Sequence, residues 1–479
     1  MREEKLEAVL TEIARYAAAY RNGVGARSHA PAASYDEMRT RLDAPTPEHG
    51  APTAQLISEL IDLVEPGLAA MTAPRFFGWV IGATAPAGMA ADWLASAWGQ
   101  NTGNGFATPS SSVIEEVAGR WLLDVLDLPR ESSIGYVTGA TMANFTCLAA
   151  ARSEVLRRVG WDGEEQGLFG APPVHVVLGE EAHSTVFSAL RYLGLGTKRV
   201  VSVEIDAQGR MKPDAFARAI RKLGGPIIAI AQAGHINSGA FDPFTEIAPL
   251  VREKGGWLHV DGAFGLWART APDRAHLAVG VDLADSWGTD GHKWLQTPHD
   301  SGYAIVRDRE AHRRAMLIAA SYLPEGDARH PADYTPELSR RARGFATWAM
   351  IRSLGRAGIA DMVSRHCALA RRMAERLAAE PSVDILNDVV LNQVAVRLAV
   401  DLDPARADDI TCRTIARVQA GGECFIGGAH WAECEIVRIS VIGEGTTEAD
   451  IDRSSEAILA AYRAERGANS VFVTPKPVV

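Results

Sequence analysis

Ala284-Asp285-Ser286-Trp287-Gly288-Thr289-Asp290-Gly291-His292-Lys293-Trp294-Leu295 places a lysine beyond a run that follows a strand-like segment, and upstream Trp257-Leu258-His259-Val260-Asp261-Gly262-Ala263 ends an apolar run on a carboxylate. Thirty-two residues separate Asp261 from Lys293, enough for one crossover to a neighbouring strand. Taken singly, Lys293 reads as a solvated amine and Asp261 as a helix N-cap. Their order and setting carry the weight. A lysine that can form a Schiff base and an acid that can partner a pyridine nitrogen are what pyridoxal 5'-phosphate (PLP) chemistry requires.

Outward from this pair, short apolar runs alternate with helical patterns: Ile134–Thr138, Val174–Leu178, Arg199–Val203, Pro226–Ala231, Trp257–Val260 and Gly302–Val306. The alternation predicts an α/β domain around a mainly parallel sheet, whose ligands sit at the carboxyl ends of the strands. Thr138, Asp261 and Lys293 fall there. Residues 344–379 and 447–466 read as helices and Val389–Ala399 and Ile436–Val441 as strands, giving a small α+β C-terminal domain. Leu6, Val9, Leu10, Ile13, Tyr16, Ala17 and Tyr20 recur at helical spacing, an amphipathic face suited to a second subunit, and a further helical pattern covers 53–71. Residues 21–54 read as a loop or extended arm. The expected division is residues 1–74 as an N-terminal helical segment, 75–335 as a large cofactor-binding domain and 336–479 as a small C-terminal domain.

At 479 residues the chain exceeds a usual single core, and 47% hydrophobic with 23% charged residues is ordinary for a soluble protein. No apolar run reaches the ~18 residues of a membrane helix. A net charge of -10 argues against a nucleic-acid surface and leaves a small molecule as the ligand class. The N-terminus lacks the apolar core of a signal peptide, so a cytoplasmic location is expected. Five cysteines without a CxxC pair read as reduced and structural. Cys424 and Cys434 flank His430 at a spacing that matches no zinc pattern, and no metal is expected.

Three further motifs lie at strand ends. Gly135 to Asn144 joins a strand to a helix beginning near Thr141, where Gly139, Ala140 and Thr141 would let a phosphate approach free N–H groups; it reads equally as a plain turn with a threonine cap. His183, in Leu178-Gly179-Glu180-Glu181-Ala182-His183-Ser184-Thr185, would stack on a flat ring, or simply cap a helix. His235, in Gln232-Ala233-Gly234-His235-Ile236-Asn237, would reach the cofactor's phenolate oxygen or the substrate, or only order its loop.

A phosphate turn, a stacking histidine, a carboxylate and a lysine in this order resemble the group II PLP-dependent amino-acid decarboxylases, the family of the aromatic amino-acid, histidine and glutamate decarboxylases, over roughly residues 70–460. The resemblance implies the type I fold of PLP-dependent transferases and a homodimer with shared active sites. It implies that Lys293 forms the Schiff base, Asp261 keeps the pyridine nitrogen protonated, and His183 and Ala263 cover the two ring faces. Ala140, Thr141 and His292 would hold the phosphate. Tyr322, in Ser321-Tyr322-Leu323-Pro324, takes the place of the loop tyrosine that protonates the quinonoid carbon, with His183 as the other donor.

The implied reaction converts an L-amino acid to its amine and carbon dioxide. Oxidative decarboxylation to an aldehyde, or transamination, are alternatives on the same fold, and a cofactor-free binding or regulatory relative is another. Phe76-Phe77-Gly78-Trp79 resembles the family's pocket wall, so Trp79 joins Asn101 and Thr102 as substrate-binding candidates. The amides of Gln100 to Asn104 predict a polar substrate side chain. Arg438 stands where many relatives of the fold keep an arginine for a substrate carboxylate. Two departures are His235-Ile236, where much of the family has two threonines, and Gly262, where an alanine is usual.

Overall fold

The computed structural model describes residues 6–317 and 329–468. The chain divides into two compact units. One holds Val80–Arg371 with Leu386–Ala395, and the other holds the chain up to Trp79, Arg372–Ile385 and the chain from Val396.

The first unit is built on a seven-stranded sheet: β1 (Ser133–Val137), β2 (His175–Gly179), β3 (Val201–Val203), β4 (Ile227–Gln232), β5 (Trp257–Asp261), β6 (Ser286–Asp290) and β7 (Gly302–Val306), in the order β1-β7-β6-β5-β4-β2-β3. β7 runs antiparallel to both neighbours and the other strands pair in parallel, so the mainly parallel α/β sheet agrees with the sequence. Ile227 to Gln232 and Trp257 to Asp261 are buried at every position, as strands covered on both faces must be. Fully burying each Val, Ile or Leu contributes roughly 1.5–3 kcal/mol.

The helix Ala140–Arg157 covers one face. Its small residues Ala143, Cys147, Ala150 and Ala151 are fully buried and let its backbone lie close to β7, β6 and β5. The same core takes in Ala304 and Val306 of β7 and Trp257 of β5.

Strand β6 is the neighbouring strand that the crossover from Asp261 was expected to reach, but no run was assigned to it. Ser286-Trp287-Gly288-Thr289-Asp290 has neither apolar alternation nor an apolar run, yet all five residues are buried between β5 and β7. The crossover from β5 to β6 is made by three short 3-10 turns, Gly265–Thr270, Ala275–Ala278 and Val281–Leu283.

A second sheet contains β8 (Val383–Ile385), β9 (Gln393–Leu398), β10 (Gly427–Trp431) and β11 (Cys434–Ser440), in the order β10-β11-β9-β8. The helices Pro404–Gly421 and Glu448–Gly467 pack together, the former also on β11. In this unit Arg75 donates to the carbonyls of Gly25 and Glu423 at 2.8 Å each and to Asp450 at 3.0 Å, tying early and late parts of the chain together. The expected arm at 21–54 is partly helical: Tyr35–Leu42 forms a helix started by a capping box between Ser34 and Glu37. Helices Leu6–Gly23 and Thr53–Val64 bury no residue within the chain. Among the described residues, no helix is long and apolar enough to cross a membrane, and all five cysteines are free thiols.

Candidate active site

Pairing register brings the carboxyl ends of three strands level, with Gln232 opposite Asp261 and Asp261 opposite Gly288. Beyond those ends lies a cavity of about 340 Å³. Of the residues singled out in the sequence, Gly139, Ala140, Thr141, His183, Asp261, Ala263, His292 and Lys293 line it together. Gln232, Ile236, Phe264 and Asp290 also line it and were not foreseen.

Asp290, at the end of β6, is 2% exposed. One carboxylate oxygen accepts from the Lys293 ammonium at 2.8 Å, and the other accepts from the Ala140 backbone N–H at 2.6 Å. The helix Ala140–Arg157 starts without a side-chain cap, because its N-cap is Gly139. A Cβ on Gly139 would sit 3.0 Å from His292 Cε1 and 3.3 Å from Asp290 Oδ1, so glycine is what lets the helix start, the histidine and the carboxylate converge. His292 accepts from the Ser301 N–H at Nδ1 (3.2 Å) and stacks on His299 at 4.2 Å. Burial pushes its pKa down to about 4, so at neutral pH it is uncharged and carries its proton on Nε2, 3.6 Å from Asp290.

Asp261 is 6% exposed. Its Oδ1 accepts from the Ala263 N–H at 3.2 Å and its Oδ2 from the Asn144 side-chain amide at 3.1 Å. Behind it, Asn144 Oδ1 lies 3.0 Å from His259 Nε2, and His259 Nδ1 lies 2.9 Å from Ser286 Oγ. Burial lowers the His259 pKa to about 3. His183 caps the helix Ser184–Tyr192, its Nδ1 lying 2.8 Å from Thr185 Oγ1, and lines the cavity as well, so the two readings of this residue are compatible.

Other candidates lie elsewhere. His235 is outside the cavity lining, although its neighbours Gly234 and Ile236 belong to it. Its imidazole is 2% exposed, held by Glu181 at 2.9 Å and packed over Gly209, where a Cβ would come within 2.9 Å of the ring. Asn101 lines a separate surface groove with Ser339 and Arg341 and accepts from the Arg340 N–H at 2.9 Å. Thr102 is fully buried. Asn104 accepts from the Ala107 N–H at 2.8 Å, so both amides are engaged with backbone, Asn104 locally and Asn101 across 239 positions. Trp79 and Arg438 belong to the other unit. There Trp79 stacks on Phe425 at 5.5 Å, and Arg438 sits opposite Gly427 in the β10–β11 pairing, its pKa lowered by burial. Tyr322 lies outside the described residues.

The cavity suits PLP on its own features. It combines an amine for the aldehyde, an uncapped helix start for the phosphate and a carboxylate with two hydrogen-bond donors for a pyridinium. A family model for the pyridoxal-dependent decarboxylase conserved domain matches residues 36–399. The chain belongs to this family. Its cofactor is pyridoxal phosphate, and it is a carboxy-lyase of the decarboxylase class.

Among relatives of this pyridoxal-dependent decarboxylase, the 4-hydroxyphenylacetaldehyde synthase of Rhodiola rosea is 26% identical, the match covering 85% of this chain and 84% of that one. The aromatic-L-amino-acid decarboxylase of Bacillus atrophaeus is 25% identical, covering 86% of each. A crystal structure of Oryza sativa TDC with PLP and tryptamine superposes with a TM-score of 0.89 at 22% identity, covering 97% of this chain and 99% of that one, and so shares the type I fold.

Proposed function

We propose that the enzyme decarboxylates an L-amino acid to the corresponding amine, with Lys293 as the amine that holds the cofactor and Asp261 as the partner of its ring nitrogen. The observation that carries this reading is the convergence of Lys293, Asp261 and the uncapped Ala140 helix start on one cavity. Bound pyridoxal phosphate supplies an electron-poor ring that accepts the electron pair left behind by carbon dioxide.

The chain's residues set the conditions for that step. Asp261 would hold the ring nitrogen's proton, stabilising negative charge as it develops. Asp290, at 2.8 Å from Nζ, anchors the Lys293 side chain in the cavity. Thr141 and the N–H groups at the helix start would anchor the phosphate, assisted by the neutral His292. Ala263 and His183 would confine the ring between them.

The test is incubation of the PLP-loaded protein with all common L-amino acids, the aromatic ones first because the relatives' names specify aromatic substrates. Carbon dioxide released with amine in equal amounts supports the proposal. Keto acid without carbon dioxide would make the enzyme an aminotransferase and sink it. A second reading, aldehyde formation, is prompted by the Rhodiola rosea relative. Tyr322 is the residue on which the amine product rests by resemblance. Tyr322→Phe is expected to leave cofactor binding intact while diverting product from amine to aldehyde with oxygen consumption; an unchanged amine yield would remove Tyr322 from the protonation step.

We further propose a two-fold homodimer. Leu6 and Leu10 on one helix and Leu56 and Leu60 on another are 48–69% exposed, an unusual outlay of apolar surface for a solitary chain. Sedimentation at micromolar concentration should give twice the chain mass, and a single-chain mass would refute the assembly.

A further inference from the structure

Trp257, His259 and Asp261 alternate along β5, so a strand's two-residue period turns all three toward the same face. Ser286, opposite His259 in the pairing with β6, and Asn144 on the helix Ala140–Arg157 complete a line of polar groups there. Ser286, His259 and Asn144 are all fully buried. Burying this many polar atoms is costly unless every one is satisfied.

Donor chemistry gives the line a direction. An indole nitrogen only donates, so Trp257 Nε1 gives its hydrogen to Ser286 Oγ at 2.8 Å. The serine oxygen can accept twice, so the far end of the line sets the tautomer: the Asp261 carboxylate only accepts, Asn144 therefore turns its NH₂ to it and its Oδ1 to His259 Nε2, and Nδ1 of the neutral ring is left to accept the serine hydrogen at 2.9 Å. Nε2 donates to Asn144 Oδ1 at 3.0 Å, and the amide NH₂ faces Asp261 Oδ2 at 3.1 Å. Gly288 leaves the room this needs, since a Cβ there would sit 2.6 Å from Asn144 Oδ1. A charged His259 would have a second N–H aimed at the serine; burial, which lowers its pKa to about 3, keeps it neutral.

We propose that Trp257, Ser286, His259 and Asn144 form a one-way hydrogen-bond chain whose last donor holds the Asp261 carboxylate aimed into the cavity, making His259 and Asn144 positioning residues for decarboxylation. The proposal rests on the reading of Asp261 as the partner of the ring nitrogen. Asp261 can rotate only by breaking a bond that four side chains hold in register. An aliphatic filling of the same space would leave that carboxylate with the Ala263 N–H alone.

Nitrogen NMR of ¹⁵N-histidine-labelled protein, with and without cofactor, tests the direction of the chain, the His259 signals being assigned by their loss in His259→Gln. The expected result is the neutral Nε2–H form; the Nδ1–H form or an imidazolium at neutral pH overturns the proposal. The second arm uses Asn144→Asp, which keeps the shape and replaces the donor by a carboxylate facing Asp261. One proton is then shared by the pair. With ¹⁵N-labelled cofactor, the ring nitrogen signal should shift toward its unprotonated position, and cofactor affinity should fall about tenfold.

An unchanged ring nitrogen signal and affinity would mean that Asn144 only fills space. If Asn144→Asp fails to fold, Ser286→Ala serves in its place. It removes the hydrogen given to Nδ1 and should produce a mixture of His259 tautomers, which Ser286→Thr should reverse. A single Nε2–H form in Ser286→Ala would overturn the chain. If instead the wild-type protein binds no cofactor, the active-site reading fails while the tautomer result still stands.

Discussion

Lys293→Ala is expected to lower turnover by about 10⁴-fold or more and to abolish the absorbance band of covalently held cofactor. Lys293 is the lysine of the cavity lining, and its Nζ lies 2.8 Å from a carboxylate that is itself almost wholly buried. The substitution removes the aldehyde-reactive amine and, among the described residues, the cation that Asp290 pairs with inside the cavity. Asp290 would keep the Ala140 N–H, but a buried carboxylate stripped of its cation costs roughly 3–5 kcal/mol. Thermal stability should therefore drop along with activity. Lys293→Ala/Asp290→Asn should recover much of the stability and none of the turnover. A cofactor band of wild-type position and intensity in Lys293→Ala would show that another amine holds the cofactor.

Asp261→Asn is expected to separate holding the cofactor from activating it. The amide matches the carboxylate in shape but keeps a single oxygen, so it can accept from Asn144 or from the Ala263 N–H and not from both, and the negative charge is gone. Lys293 is untouched, so the covalent band should persist. A charge partner lost from a buried pair is worth about 3–5 kcal/mol, which corresponds to a fall in kcat/KM of about 10²-fold to 10⁴-fold. Steady-state kinetics on the PLP-saturated variant would measure this. A change smaller than about threefold would mean that Asp261 does not face the ring nitrogen.

Much of the fold was legible because it is written in local periodicity. The buried strand β4 is an apolar run up to its last residue, β5 is largely apolar up to its carboxylate, and residues 344–378 follow the long helical pattern with a break at Gly355, where φ is 63°. Strand β6 was not legible for the opposite reason. Apart from Trp287 its residues are polar or small, and they are buried because Ser286 meets Trp257 and His259 on the neighbouring strand while Asp290 meets Ala140 from 150 positions away. The helix Tyr35–Leu42 was hidden by the Ala, Pro and Ser around it, although Ser34 and Glu37 carried its capping signal at the expected spacing.

The site divides in the same manner. Strand ends announced Asp261, Lys293, His183 and the Gly139 turn, because an α/β sheet presents such positions to one side. Asp290 stood in the very stretch that drew attention, three residues before Lys293, but nothing local distinguishes a carboxylate that pairs with the lysine from one in solvent. His235 was announced too, and the structure turns it away from the cavity. Gly234, with φ of 91°, reverses the chain there, and Glu181 and the open face of Gly209 receive the ring, leaving Ile236 on the cavity side.

By itself, the sequence determined the α/β class, the strands that end at the site and the face of β5 shared by Trp257, His259 and Asp261, since each follows from the two-residue period of a strand or the spacing of a helix. Tertiary structure alone decided that Asn144 meets Asp261 across 117 positions of chain and that Asp290 meets Lys293 and Ala140 at once. Periodicity specifies which way a side chain points from its own element; which partner waits there depends on strand order and register, and those are settled only when the sheet closes around its core.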